Sequence, residues 1–245
     1  EGVLVIDSPM TPTLAGKLYA AIRNVTTAPI RYLINTHFHG DHVFGNQYFL
    51  PAPIVAHENC RTELREKFDA NMQRYRQREA LIPELEQIRM TLPDVTFEDK
   101  MTIRLGDRVI ELSFLGRAHS NSDILTYLHD DKVLFVGDIA VHKTLPAFPD
   151  GHITKWLTVI DETAKVDAET IIPGHGPVGG KAEFEEAREL LHILNSEIKK
   201  GFDEGLSEEE TAKRVNVGKF SSFANQERVG QITQMAYLAY KDELQ

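Results

Sequence analysis

Apolar positions along the chain follow two periods. Residues 3–7 read Val-Leu-Val-Ile-Asp, an apolar run stopped by Ser8-Pro9, the pattern of a short buried strand. Over residues 13–24, Leu14, Leu18 and Ile22 recur every four positions, which predicts a helix. Residues 32–35 and 54–56 read as further short strands. This β-α-β opening predicts an α/β layered fold.

Residues 60–92 change the rhythm. Leu64, Phe68, Met72 and Tyr75, then Leu81, Leu85, Ile88 and Leu92, keep helical spacing, so the pattern predicts a helical hairpin parted near Pro83. Its arginines and glutamates interleave, as on a solvated face. By topology this insertion leans over a site as a lid, the alternatives being a homodimer contact or a decoration.

Strand patterns return at 109–115, 124–128 and 133–136, the last two as a hairpin around His129-Asp130-Asp131-Lys132. A helix is predicted over 152–166, a strand over 170–172 and a strong amphipathic helix over 183–199. Ser207-x-x-Glu210 is a capping box for another helix, and 225–244 gives the last. The reading is one domain over 1–245, with 60–92 as an insertion and 183–245 as C-terminal helices.

Composition narrows the classes. With 245 residues, 42% hydrophobic and 26% charged, the chain has enough apolar surface for a large core. A net charge of −10 argues against a nucleic-acid partner. Cys60 is the only cysteine, which rules out intramolecular disulfides and a thiolate-rich zinc site. No apolar run approaches a membrane span. The chain begins at Glu1, directly on a strand and without Met, which reads as a trimmed or processed end and leaves cytoplasmic and periplasmic placement both open.

The candidate chemistry lies at strand ends. Thr36-His37-Phe38-His39-Gly40-Asp41-His42 crowds titratable groups into one turn. At a strand end, residues two apart point the same way, so His37 and His39 suit one metal. The turn through Gly40 carries Asp41 and His42 to a neighbouring position. His119, Asp138 and His175 each follow a later predicted strand, where α/β folds gather functional groups. Singly, each reads as a solvated loop residue. Seven ligand-type residues at four strand ends call for a metal.

The segments "THFHGDH", "AHS", "VGD" and "PGHG", in this order and spacing, resemble the metallo-β-lactamase superfamily, and the resemblance covers nearly all of residues 1–180. It implies an αββα sandwich of two mixed sheets flanked by helices, with a dinuclear site between the sheets. It implies one metal on His37, His39 and His119, a second on Asp41, His42 and His175, and Asp138 bridging both. Two divalent ions, chiefly zinc, would hold a bridging hydroxide and polarise a substrate oxygen. The chain departs from the family in reading Ser120-Asn121-Ser122-Asp123 after the third histidine, where Thr-x-Gly is frequent, and in lacking strands before residue 3.

Asp138, where one lactamase subclass carries Cys, makes the chain resemble the all-His/Asp members. His39, where the diiron flavoproteins carry Glu, argues against electron transfer. The expected activity is hydrolysis of a small ester, thioester, lactone or lactam. Its rivals are a true β-lactamase, a mononuclear iron dioxygenase and a non-catalytic binding protein, the last opposed by the complete ligand set. Asp41 and His142 are the catalytic candidates. Lys143, Arg117 and Lys181 are candidates for pairing a substrate carboxylate, and Phe38, Phe44 and Phe148 for walling a pocket.

Overall fold

The computed structural model describes residues 2–147 and 149–244. It divides into two compact units, Glu1–Phe114 and Leu115–Gln245, and its strands sort into two sheets. Phe148, expected in a pocket wall, lies outside the described residues.

The first unit opens with β1 (Val3–Ile6), α1 (Pro12–Val25) and β2 (Ile30–Ile34). The start of α1 is written in its sequence. Thr11 Oγ1 accepts a hydrogen bond from the Leu14 amide at 3.3 Å, and Pro12 sits in the first turn, where its missing N–H costs nothing. Ala15, Leu18 and Ile22 of α1 pack on Val5, Leu33 and Ile54. The chain continues through the single turn α2 (Gly40–Val43) and β3 (Ile54–His57) to the long helix α3 (Glu58–Arg76). After α4 (Ile82–Leu85) come β4 (Val95–Phe97), β5 (Lys100–Leu105) and β6 (Arg108–Phe114). Strands β1 to β4 are parallel and paired in chain order. Strands β5 and β6 form an antiparallel hairpin.

The insertion differs from the predicted hairpin in its second half. Only Ile82–Leu85 is α-helical. Pro83 suits a first turn, and Pro93 pushes Leu92 toward extended backbone, so a helix over 81–92 is closed off at its far end. Leu85 and Ile88 still enter the core, from one turn and the loop after it. The first half keeps its stripe: Cys60, Leu64, Phe68, Met72 and Tyr75 pack with Phe38, Val43 and Phe44. The stripe is therefore covered by the residues that flank the histidine cluster.

The second unit contains β7 (Ile124–Leu128), β8 (Val133–Gly137), α5 (Ile153–Thr163), β9 (Thr170–Pro173), α6 (Lys181–Asp203), α7 (Glu208–Arg214) and α8 (Val229–Asp242). Strand β8 runs antiparallel to β7 and parallel to β9. Trp156, Leu134, Val136, Leu191, Leu194 and Tyr237 share one core. The Ser207–Glu210 capping box forms as its residues predict. The last helix starts at Val229, because Asn225 turns the chain through left-handed backbone just before it. Among the described residues no helix is long and apolar enough to cross a membrane.

Candidate metal centre

In the first unit, β2 delivers the chain into a buried turn. His37, His39 and His42 are all buried, and Asp41 is half-buried. His37 Nε2 and His39 Nδ1 lie 3.1 Å apart. Two nitrogens about 2.0–2.1 Å from a tetrahedral zinc stand roughly 3.3 Å from each other, so this pair fits a shared cation.

What orients these rings is Asp7, at the end of β1. Its carboxylate accepts from the Thr36 amide at 2.7 Å, from Thr36 Oγ1 at 2.8 Å and from His42 Nδ1 at 2.8 Å. Thr36 Oγ1, having donated to Asp7, accepts from His37 Nδ1 at 3.0 Å. The network places a proton on Nδ1 of both His37 and His42 and leaves Nε2 as the nitrogen that would face a metal. Asn35 and Asn46 brace the turn, Asn35 Nδ2 donating to the His42 carbonyl at 3.2 Å and to Asn46 Oδ1 at 3.0 Å.

In the second unit, Asp138 opens the turn after β8 and is buried. Its Oδ2 lies 3.3 Å from His119 Nε2 and 3.5 Å from His175 Nε2. One carboxylate thus faces two imidazoles, the arrangement expected of a bridging ligand. Glycines permit it. A Cβ on Gly174 would fall 2.0 Å from Asp138 Oδ1, and one on Gly176 would fall 2.2 Å from the His142 carbonyl oxygen. Gly176 also takes a φ of 100°, which side chains disfavour. The Ser120–Asp123 departure is a self-contained turn, in which the Ser120 amide donates to Asp123 Oδ2 at 2.6 Å.

Both donor sets combine imidazoles with carboxylates, which suits zinc and related divalent ions. A family model for the metallo-beta-lactamase superfamily matches residues 1–175. The chain belongs to the metallo-β-lactamase superfamily. That match runs through both units and takes in all seven donors.

Two curated relatives match most of this chain. The linear primary-alkylsulfatase of Pseudomonas sp. (strain ATCC 19151) is 21% identical, over 89% of this chain and 48% of its own length. The chain therefore spans about half of that relative. The metallo-beta-lactamase type 2 of Bacteroides fragilis is 21% identical, over 77% of this chain and 70% of its own. Among solved structures, the stereoselective inverting sec-alkylsulfatase Pisa1 from Pseudomonas sp. matches with a TM-score of 0.79 at 17% identity, over 98% of this chain and 46% of that one. A metallo-beta-lactamase from Pontibacter korlensis matches with a TM-score of 0.63 at 23% identity, over 78% and 83%. The expected class, mixed α/β with two sheets flanked by helices, is the fold these structures share with this superfamily member.

The remaining candidates have local partners. His142 is buried, its amide donates to the His175 carbonyl at 2.9 Å, and its Nδ1 donates to the Pro177 carbonyl at 2.9 Å. Burial pulls its pKa below the usual histidine value, only partly offset by the Pro177 bond. Lys143 pairs with Glu186, Arg117 donates to the Asp150 carbonyl at 3.0 Å, and Lys181 lies 3.8 Å from Asp167. Phe38 and Phe44 are core residues under α3. His57 is structural: it caps α3, donates to the Glu98 carbonyl at 2.6 Å and stacks on Phe114.

Two residues escaped the sequence reading. Asp7 reads as the polar end of a strand, and only the Ser-Pro stop after it hints at a turn. Tyr75 reads as the last member of an apolar stripe, yet its hydroxyl donates to Asp41 Oδ1 at 2.8 Å. Burial, with the Asp41 carboxylate beside it, raises the Tyr75 pKa far above the usual phenol value.

Proposed function

We propose that this chain is a metal-dependent hydrolase whose two donor sets act as one dinuclear centre, chiefly zinc. His37, His39 and His119 hold the first ion, Asp41, His42 and His175 the second, and Asp138 bridges them. The observation that carries the reading is the Asp7–Thr36 network, which places a proton on Nδ1 of His37 and His42 and leaves Nε2 to face a metal. Histidines that served only the fold would not need it.

Two such ions, when bound, bring the pKa of water toward neutrality and polarise a substrate oxygen. The chain's residues do the rest. Asp41, its side chain 27% accessible, is the carboxylate placed to accept a proton and pass it to solvent. His142 serves the site through structure, holding the loop that carries His175 from both sides. The substrate is a small molecule with a carbonyl electrophile: an ester, thioester, lactone or lactam. Net charge supports the absence of a nucleic-acid partner.

A second reading, an alkyl sulfate ester as substrate, is favoured by the longer alignment to the alkylsulfatase, 89% of this chain against 77% for the lactamase. Zinc-loaded protein assayed against chromogenic esters, thioesters, lactones, lactams and alkyl sulfates separates the two. The expected result is turnover of a carbonyl substrate, lost on chelation and restored by zinc. Turnover of alkyl sulfates alone favours the second reading, and no turnover with two zinc ions bound favours a binding protein.

A further inference from the structure

The contact between α3 and the metal turn links a helix with no donor of its own to one of the seven proposed ligands. We propose that Tyr75 is a positioning residue for Asp41, fixing the carboxylate so that α3 controls binding of the second metal ion. The inference rests on the dinuclear reading above and adds to it a specific role for the insertion.

Three observations carry it. The Tyr75 hydroxyl donates to Asp41 Oδ1 at 2.8 Å, while the other oxygen, Oδ2, lies on the side of His42, 3.8 Å from its Nε2. A partly exposed aspartate has staggered rotamers to choose from, and one well-formed bond to a partly buried donor selects among them. The ring that carries the hydroxyl is itself held. It meets Phe44 edge to face with centroids 5.7 Å apart, and Phe44 meets Phe68 the same way at 5.5 Å. Finally, the approach of α3 depends on Gly40 at the centre of the metal turn. A Cβ there would lie 2.7 Å from the Tyr75 ring and 2.6 Å from Phe44. The glycine between His39 and Asp41 thus makes room for the tyrosine as well as for the turn.

Outer partners of metal ligands typically contribute 10–100-fold in metal affinity. Tyr75→Phe keeps the ring and its packing and removes only the donor. Zinc titration against a competing chromophoric chelator reads each binding step separately. The expected result is an unchanged first step and a second step weakened about 10–100-fold, with kcat low at limiting zinc and recovered at high zinc. Phe68→Leu is the packing control: it lowers the melting temperature and leaves both zinc steps alone. In an Asp41→Ala background, which removes the acceptor, Tyr75→Phe has no further effect, because the tyrosine acts through the carboxylate. Two wild-type-like zinc steps in Tyr75→Phe overturn the inference alone. Equal weakening by Phe68→Leu also overturns it, because packing is then the cause. A wild-type protein without a second zinc step overturns the dinuclear reading and the inference together.

Discussion

The two units hold their metal-type donors by different means. In the first, side chains orient side chains: Asp7 and Thr36 orient the rings of His37 and His42, and Tyr75 holds Asp41. In the second, the backbone does the work, through the close approach of Gly174 to Asp138 and the clamp of His142 on the His175 carbonyl. Burial does not follow that division: His119 and Asp138 of the second unit are as buried as the first unit's histidines, and each unit has one partly exposed donor, Asp41 and His175. The first unit tolerates little change in outer side chains.

The largest effect is expected at Asp138, a buried carboxylate that faces two imidazoles. Asp138→Ala should lower kcat/KM by more than about 100-fold, beyond the usual range for an outer partner, and should release metal. Steady-state kinetics with elemental analysis check this, and near-normal turnover with full metal would remove Asp138 from the centre. Next comes Asp7. Asp7→Ala leaves the Thr36 and His42 donors without their acceptor, so activity should fall about 10–100-fold, with a stability loss of roughly 1–3 kcal/mol for each donor left unsatisfied. If the loss is confined to stability, the network serves the fold only.

Much of the fold was legible because its cues are local. The helix at 12–25 is bounded by Thr11-Pro12, and α7 by its capping box. The donor positions were legible as a set because histidine and aspartate are rare at successive strand ends unless used. What orients them was not. Asp7 lies 35 residues from His42, and Tyr75 lies 34 from Asp41. Neither pairing leaves a periodicity to detect. Strand β4 has three residues, and of β5 only Ile103 is fully buried, so their alternation is too short or too polar to stand out. The second insertion helix was over-read, because apolar spacing at 81–92 persists while the prolines at 83 and 93 restrict the backbone.

A smaller effect, shared by both units, depends on pH. Burial lowers the pKa of His57 in the first unit and of His152 in the second. An unfolded chain then binds more protons than the folded one once pH falls below the free value of about 6.5. Their stability contribution is full above that pH and declines as pH drops toward the lowered folded values. Melting temperature should therefore fall between about pH 7.5 and pH 5, and His57→Gln should flatten that slope. A slope unchanged in the variant would exclude His57 as a source.

The smallest effect is expected at Lys143, which pairs with Glu186 at the surface. Lys143→Ala should change stability by less than about 1 kcal/mol and leave KM within a factor of about 3. A tenfold or greater rise in KM would mean that the lysine leaves Glu186 to bind substrate.

The central proposal, that the seven donors hold two divalent ions, is tested most directly by the metal content of gently purified protein. Elemental analysis should give about two divalent ions per chain, chiefly zinc. One equivalent of iron without zinc would contradict the account.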